Sequence, residues 1–358
     1  MSQARHRVVQ WATGNVGMRA LREVIRHPDL DLVGVLTYDA AKEGVDAGVL
    51  CGEGPVGVVA TTDPRSIHAL AADCVLYMPR ATDLADVSQL LRAGTNVVTT
   101  RGELFAGAHR LSDEERARVT EACEIGSASV YATGSSPGFI TDALPFALLS
   151  LQRHVDSIRI DEFANMSRRD SPHMLFRQLG FAKPIEAYDP GRAAYLLGEF
   201  GPPLGEMAAA AGRPVDTWTC AGEAAAARTA TRLAAGDIPA GSIGAQRTII
   251  GGHCGADEVV RFTATWYVTA DLDPAWDPGP TGWRVRVRGE APLDVELGFP
   301  IPLDDLNAFT PAYTANRPVN AVPYVCAARP GILRTEDLPP ITPRGPVAPG
   351  VASGVQRS

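Results

Sequence analysis

Short apolar runs rich in β-branched residues alternate with amphipathic stretches over the first third of the chain. This alternation is typical of a parallel sheet that is covered by helices. It predicts strands at residues 7–12, 30–37, 56–60, 74–78, 96–99 and 128–132, with helices between them. Six strands with intervening helices indicate an α/β domain of the doubly wound Rossmann type. Ligands of such domains lie outside the carboxyl ends of the strands.

Local signals mark where two of these helices begin and end. The first predicted helix carries Met18, Leu21 and Val24 on one face, and it should end at His27 because proline follows. A later helix should begin at Ser112, since Ser112 and Glu115 have the spacing of a capping box.

The pattern changes after about residue 144. Alternating strands are predicted at 157–163, 247–250, 258–268 and 283–288, and a Gly- and Ala-rich helical region at 190–235. Consecutive strands without crossover helices predict a mainly antiparallel sheet. We therefore expect a Rossmann domain over residues 1–143, completed by a returning helix near 318–330, and an α+β domain for substrate binding and dimerisation over 144–317. Residues 342–358 are rich in Pro, Gly, Ser and Ala and are predicted to be disordered.

Composition narrows the class of protein. A chain of 358 residues is long enough for two cores, and its formal net charge of -8 disfavours a nucleic-acid partner. The six cysteines have no metal-ligand or redox spacing, which predicts reduced thiols in a cytoplasmic protein and no metal site. Neither a secretory signal nor an apolar run of about 18 residues is present, so no membrane association is expected.

A glycine turn follows the first predicted strand. The sequence WATGNVG places Gly14 and Gly17 between this strand and the first helix, as in turns that hold a dinucleotide pyrophosphate. Ala12 stands where the pattern usually has its first glycine, which is tolerable if Ala12 keeps ordinary dihedral angles. The other reading is a strand-to-helix turn without a ligand. The predicted cofactor contacts of the turn are Thr13, Gly14, Asn15, Val16 and Gly17.

Selection between NAD and NADP is expected just after the second strand, where Tyr38, Asp39 and Lys42 stand. A carboxylate there accepts hydrogen bonds from the ribose hydroxyls, whereas a basic group holds a 2′-phosphate. Asp39 therefore indicates NAD, whereas Lys42 indicates NADP. NAD is favoured because Asp39 would repel the phosphate, with Lys42 then simply solvated.

Four segments together resemble the dihydrodipicolinate-reductase-like family, in particular its branch of 2,4-diaminopentanoate dehydrogenase and native amine dehydrogenases. The segments are VVQWATGNVG, DCVLYMP, ATGSSPGF and PVNAVPYVCAARPGI, and they extend from residue 8 to residue 332. The chain lacks the paired histidines of dihydrodipicolinate reductases proper, so lysine biosynthesis is disfavoured. It also lacks the Glu-Lys-Pro of the glucose-fructose oxidoreductase group after the fifth strand.

The resemblance implies NAD(P)-dependent interconversion of an amine with a ketone or aldehyde plus ammonia, in a homodimer with its active site between domains. It implies that Glu103, in TTRGELF, is the catalytic residue. Two departures concern the cofactor: Asp39 replaces a frequent serine, and Ser136 a frequent asparagine. Further cofactor contacts implied by the matching segments are Met78, Pro79, Ser136, Pro137, Gly138 and Asn320.

A carboxylate beside the nicotinamide suits this chemistry, because it accepts a proton and stabilises a cationic iminium. Glu103 has the expected position, and Arg101 would lower its pKa; without the resemblance, Glu103 reads as a solvated loop residue. Phe139, His173 and His253 are the candidate substrate-binding residues. Each also has a structural reading, as a core aromatic or a hydrogen-bonded histidine.

Three functions stay open at this point. The first is an amine dehydrogenase. The second is a dehydrogenase or reductase of another small carbonyl, hydroxy or imine compound, in which an imidazole or a lysine would handle the proton of an alcohol. The third is a nucleotide-binding protein without catalytic activity. Ammonium dependence of ketone reduction separates the first from the second, and a screen with amines and ketones identifies the third.

Overall fold

The computed structural model describes residues 5–189 and 191–344. The chain divides into two units, one made of Met1–Gly134 with Pro311–Ser358 and the other of Ser135–Thr310. The predicted boundaries at 143/144 and 317/318 lie further along the chain than these. The part of the predicted disordered tail from residue 345 onward lies outside the described residues. Thr342 and Arg344 are described, and their side chains contact Tyr324 and Asp29 respectively.

The strands of the described residues, in chain order, are β1 His6–Trp11, β2 Leu30–Leu36, β3 Ala60–Thr61, β4 Cys74–Tyr77, β5 Asn96–Thr99, β6 Ser129–Ala132, β7 Val155–Asn165, β8 Thr217–Ala227, β9 Thr231–Leu233, β10 Gly236–Ile238, β11 Ile243–Cys254, β12 Asp257–Tyr267, β13 Leu272–Asp273, β14 Gly282–Gly289, β15 Leu293–Gly298 and β16 Gly331–Leu333. The helices are α1 Asn15–Arg26, α2 Ala47–Cys51, α3 Pro64–His68, α4 Leu84–Arg92, α5 Phe105–Ala108, α6 Asp113–Gly126, α7 Leu144–Leu149, α8 Gly191–Ala210 and α9 Leu306–Cys326.

A seven-stranded parallel sheet forms the centre of the first unit. Its strand order is β16-β6-β5-β4-β1-β2-β3. Successive strands are therefore added outward on one side of β1 up to β3, and on its other side from β4 onward. Ligands of such sheets bind at this reversal, beyond the carboxyl ends of the strands. The loops after β1, β2, β4 and β5 therefore lie along one edge of the sheet, and these loops contain the glycine turn, Asp39, Met78 and Glu103.

Alternate residues of the strands enter two separate cores. On β4, Val75 and Tyr77 pack with α4 and α6, whereas Cys74 and Leu76 pack with α1 and α9. Each buried aliphatic or aromatic side chain contributes about 1.5–3 kcal/mol. Burial on both faces explains why the strands read as continuous apolar runs. The doubly wound fold class is confirmed.

The predicted helix signals are present in the structure. Helix α1 ends at Arg26, one residue before the predicted stop at His27. Helix α6 has the complete Ser112–Glu115 capping box, in which each side chain accepts from the backbone N–H of the other residue.

Two features of the first unit differ from the sequence-based expectation. Residues 56–60 form a strand only at Ala60, because the backbone N–H groups of Val56 and Gly57 donate to the Asp46 carboxylate at 3.1 and 2.8 Å. A seventh strand, β16, pairs with β6. It has three residues and its partner is about 200 residues away in the chain, so local periodicity carries no signal for it.

The second unit is built on a seven-stranded sheet of order β13-β8-β11-β12-β7-β14-β15. Only the β12–β7 pair is parallel, which agrees with the predicted mainly antiparallel sheet. Helix α8 covers one face, where Phe200 stacks on Phe262 with ring centroids 4.3 Å apart.

The predicted helical region at 190–235 is wrong in its second half. Helix α8 ends at Ala210, and residues 217–227 form strand β8. The alanines of this segment favour a helix, but β8 pairs with β11 over residues 217–226. Gly222 leaves room for a neighbour on this strand, because a Cβ atom there would lie 2.1 Å from the Tyr188 hydroxyl. Long-range pairing therefore overrides local propensity.

Candidate functional site

The glycine turn leaves backbone donors open at the start of α1. Gly14 is the N-cap residue, and no side chain of the described residues caps this helix end. A Cβ atom built on Gly14 would have nothing within 4 Å. The space next to Gly14 therefore faces unbonded N–H groups and the positive end of the helix dipole, which together suit a pyrophosphate.

Gly17 has a different task, which is close packing of α1 against the end of β1. A Cβ atom at Gly17 would lie 2.1 Å from the carbonyl oxygen of Ala12. Ala12 has φ +79°, so the condition of ordinary dihedral angles, under which its replacement of glycine is tolerable, is not met. Hydrogen bonds hold it there: its N–H donates to Leu36 and its carbonyl accepts from the Gln10 side chain, both at 2.9 Å. These contacts offset the cost of about 1–2 kcal/mol for a non-glycine residue in this region.

We expect Gly17→Ala to destabilise the protein by roughly 1–3 kcal/mol, because the added methyl group overlaps the Ala12 carbonyl. Urea unfolding measures this loss. The matched control is Gly14→Ala, which adds the same atom in open space and should change stability far less. Equal stability of the two variants would contradict the close approach of helix and strand.

The loop after β2 is connected to the glycine turn by Lys42. Its ammonium donates to the Thr13 carbonyl at 2.9 Å and to the Thr13 hydroxyl at 3.3 Å. The expectation of a merely solvated Lys42 is therefore wrong: its charge is held beside the glycine turn. Tyr38 is 65% exposed, and its hydroxyl accepts from the Trp11 indole at 2.9 Å.

Asp39 uses one carboxylate oxygen in a local turn. Its Oδ1 accepts from the Ala41 N–H at 3.0 Å, which caps the short 3₁₀ turn Ala40–Lys42. The side chain is exposed, and within the described residues its second oxygen has no hydrogen-bond partner. Asp39 therefore retains an acceptor for ribose hydroxyls, as an NAD-binding carboxylate requires.

Replacing Asp39 by serine should shift the cofactor preference toward NADP by a factor of ten or so, about 1.4 kcal/mol, because the carboxylate that repels a 2′-phosphate is gone. Dissociation constants of NADH and NADPH, measured by fluorescence titration, give the ratio. Asp31→Ser on β2 is the control, since Asp31 is an exposed carboxylate outside the loop. A ratio unchanged within twofold would show that Asp39 does not contact the ribose.

Glu103 lies in a short 3₁₀ turn, Gly102–Leu104, directly after β5. Leu104 and Phe105 are buried in the core beneath this turn, which fixes its backbone. The Glu103 carboxylate accepts at Oε1 from the Arg101 guanidinium at 2.9 Å and at Oε2 from the Thr82 hydroxyl at 3.0 Å. Its side chain is 30% exposed, so solvent or a ligand reaches it.

Opposing effects act on the pKa of Glu103. Burial raises the pKa. Hydrogen bonds from its own backbone N–H, from Arg101 and from Thr82, together with the charge of Arg101, lower it by more than burial raises it. The net result is a pKa below the ordinary glutamate value, with Arg101 contributing as the sequence predicted. The carboxylate is therefore ionised at neutral pH and is available as a proton acceptor.

Met78 and Pro79 continue the chain from β4 at the same edge of the sheet, and both are buried. The Met78 N–H donates to the Trp11 carbonyl at 3.0 Å, which ties this loop to the end of β1. Asn320 is half-buried on α9.

The segment with Ser136, Pro137, Gly138 and Phe139 opens the second unit. It lies in an irregular helical turn, Ser135–Ala143, in which Gly138 has φ +120° and donates from its N–H to the Thr141 hydroxyl at 2.9 Å. The conformation of Gly138 favours glycine, which explains the Pro-Gly pair. Phe139 is half-buried.

His173 and His253 do not lie together. His253 is near the end of β11, where its ring contacts the Thr219 hydroxyl at 3.2 Å. His173 begins a helical turn whose Leu175 packs with Ile243, at the other end of β11. His253 is ten positions further along the strand than Ile243, or about 33 Å. The structure thus does not support one pocket lined by both histidines.

A cavity of about 600 Å³ in the second unit has Trp266 in its wall. Three cationic side chains, Arg177, Lys183 and Arg192, line it together with one carboxylate, Asp189. Asp189 accepts from the Gly191 N–H at 2.9 Å. The excess of positive charge makes this cavity a poor site for a protonated amine.

Sequence reasoning missed Thr82 and the Lys42–Thr13 contact. Thr82 lies in the loop after β4, and a polar residue at the carboxyl end of a strand is the one signal that points to it.

All six cysteines are free. Within the described ranges no cluster of three or more His, Cys, Asp or Glu side chains is arranged to hold a metal ion. No helix among the described residues has the length and apolarity to cross a membrane.

Comparisons with known proteins add to these findings. No family model matches the chain. The chain is 29% identical over 345 residues to a protein from Streptomyces virginiae named amine dehydrogenase, covering 92% of this chain and 95% of that protein. The resemblance noted in the sequence motifs is confirmed by this relative.

Solved structures show the same fold. The structure of an amine dehydrogenase from Mycobacterium smegmatis has a TM-score of 0.76 at 20% identity, covering 96% of this chain and 98% of that one. A probable dehydrogenase from Thermotoga maritima has a TM-score of 0.55 at 11% identity, covering 92% of each chain. At these identities the likeness concerns the fold.

Proposed function

We propose that this chain, which resembles the amine dehydrogenases over nearly its whole length, is itself an NAD(P)-dependent amine dehydrogenase. It catalyses reductive amination of a ketone or aldehyde with ammonia, and the reverse oxidative deamination. The observation that carries the proposal is the ionised Glu103 carboxylate, on the same edge of the parallel sheet as a glycine turn with open backbone donors.

The residues of the glycine turn fit a dinucleotide. The open space next to Gly14 and the uncapped N–H groups of α1 accommodate a pyrophosphate, and the Lys42 ammonium adds positive charge beside Thr13. The exposed oxygen of Asp39 favours NAD over NADP. When bound, the nicotinamide supplies the hydride acceptor or donor of the reaction.

Glu103 handles the proton in this mechanism. In reductive amination the carbonyl carbon gains nitrogen and loses water, and a hydride then reduces the iminium to the amine. The nitrogen must first lose a proton from ammonium or from the carbinolamine, and Glu103 accepts it. Glu103 then returns a proton to the carbinolamine hydroxyl, which leaves as water, and the restored carboxylate stabilises the positive iminium. Because a carboxylate serves both steps, an imidazole or lysine is not required.

The proposal extends to a homodimer in the cytoplasm. The dimer is what the resemblance implies, and six free cysteines suit a reducing compartment. Analytical ultracentrifugation at micromolar concentration tests the dimer directly.

A cofactor-reduction screen tests the activity. The protein is incubated with NAD or NADP and a panel of small amines at alkaline pH, and reduced cofactor is followed by absorbance. In the reverse direction, ketones are offered with NADH or NADPH in the presence and absence of ammonium. We expect NADH or NADPH to be consumed only when ammonium is present. Equal rates without it indicate a carbonyl reductase, and no turnover of any amine or ketone indicates a nucleotide-binding protein.

A further inference from the structure

Thr82, Arg101 and Glu103 form a closed ring of three hydrogen bonds. The Arg101 guanidinium divides its donors: Nη2 binds Glu103 Oε1 at 2.9 Å and Nε binds the Thr82 hydroxyl at 3.2 Å. The Thr82 hydroxyl in turn donates to Glu103 Oε2 at 3.0 Å. Within the ring, each carboxylate oxygen of Glu103 accepts from one side chain.

The ring connects two neighbouring loops. Thr82 comes from the loop after β4, whereas Arg101 and Glu103 come from the loop after β5, and these two strands pair in parallel. Arg101 precedes Glu103 by only two residues, so the ion pair by itself lets both side chains move together with their loop. Thr82 supplies the one link of the ring to a different strand, which fixes the carboxylate relative to the rest of the sheet edge.

We propose that Thr82 is a positioning residue of the enzyme: its hydroxyl fixes the orientation of the Glu103 carboxylate, so that the remaining lone pairs face the reacting nitrogen. This role rests on the proposed function for its catalytic consequence. The geometry has a further effect, because Thr82 donates to the ionised carboxylate and thereby favours the charged form. Loss of this hydroxyl should raise the pKa of Glu103.

Arg101 is the charged group that faces Glu103 in this ring. Two titratable residues of the adjoining segments, Asp83 and His109, have other partners. Asp83, next to Thr82, caps α4 through the N–H groups of Ala85 and Asp86. His109, at the end of α5, faces the charges of Arg334 and Arg116, and its pKa is lowered first by burial and then by them. A shift in the Glu103 pKa after mutation at residue 82 therefore reports on the ring.

The test compares Thr82→Val with Thr82→Ser in the full-length protein. Valine keeps the shape and removes the hydroxyl, whereas serine keeps the hydroxyl. We expect Thr82→Val to lower kcat for oxidative deamination by roughly 10- to 100-fold, as expected for a misplaced catalytic group, with cofactor affinity unchanged. Thr82→Ser should stay within threefold of the wild type. Thr120→Val is the control, since the Thr120 hydroxyl bonds a backbone carbonyl within α6.

A second measurement separates failure of this inference from failure of the proposed function. The carboxyl carbon of Glu103 is followed by NMR in protein labelled with ¹³C-glutamate, with Glu103→Gln to assign the signal. We expect its pKa to be higher in Thr82→Val than in the wild type and in Thr82→Ser, whatever reaction the enzyme catalyses. Where turnover is measurable, wild-type kcat together with an unchanged Glu103 titration in Thr82→Val overturns the positioning role. Where no amine is turned over, the titration alone decides.

Discussion

Replacing Glu103 by glutamine should lower the turnover of oxidative deamination at least a hundredfold. Glutamine keeps the shape of the side chain and its place beside Arg101 and Thr82, although its hydrogen bonds with them change. It removes the negative charge and the basic oxygen. General acid–base catalysis typically contributes about 10²- to 10⁴-fold, which sets the expected range. Because the carboxylate also stabilises the iminium, the loss should appear in both directions of the reaction.

Steady-state kinetics at saturating amine and cofactor measure this effect, and cofactor titration should show little change. Glu114→Gln is the matched control, since Glu114 is an exposed glutamate in the first turn of α6. A Glu103→Gln variant that retains more than about a third of wild-type deamination would assign the proton to another group. His173 and His253 would be examined next.

The same carboxylate sets an expected pH dependence. The pKa of Glu103 lies below its ordinary value, so Glu103 is a carboxylate at neutral pH and becomes protonated only as the pH falls through that lowered pKa. At saturating amine, the acid limb of kcat due to Glu103 should therefore lie below the ordinary range of a glutamate. A loss of activity nearer neutrality would come from a different group, so Glu103→Gln should lose the same fraction of its own activity over that pH range.

Replacing Gly14 by valine should weaken the binding of NADH and NADPH by at least about a hundredfold, or about 2.7 kcal/mol. The branched side chain would occupy the open space beside the N–H groups at the start of α1, where the pyrophosphate belongs. The backbone of Gly14 is ordinary for valine, with φ −72° and ψ −175°, so the fold should survive.

Fluorescence titration measures the affinity, and circular dichroism confirms the fold. Gly54→Val is the control, because Gly54 also has open space around it and lies outside the turn. Wild-type affinity in a folded Gly14→Val variant would show that the glycine turn does not hold the cofactor.

Much of the first unit could be predicted from the sequence because its signals are local. Buried strands read as apolar runs, and the Ser112–Glu115 capping box marks a helix start within four residues. The positions of Gly14 and Gly17 predicted a turn between strand and helix, which the structure has. The position of Glu103 after the fifth strand placed it at the ligand edge, since all parallel strands end on the same side.

Only the tertiary structure decided which side chains meet there. Thr82 and Glu103 are 21 residues apart, and they bind each other because β4 and β5 are neighbours in the sheet. Lys42 reaches Thr13 because β1 and β2 pair, and the same pairing holds Ala12 at positive φ through Leu36. The order of the strands in the sheet brings distant loops together, and this order cannot be read from the periodicity of any one segment.

The chain by itself therefore determined the kind of most elements of the first unit and the edge at which a ligand binds, because these depend on residue type and spacing. The resemblance of its motifs to known proteins then singled out Glu103 as the carboxylate available for a proton. The tertiary structure decided the partners of that carboxylate and the strand character of the alanine-rich residues 217–227. Those outcomes depend on contacts between segments far apart in the chain, whose free energies exceed local conformational preferences.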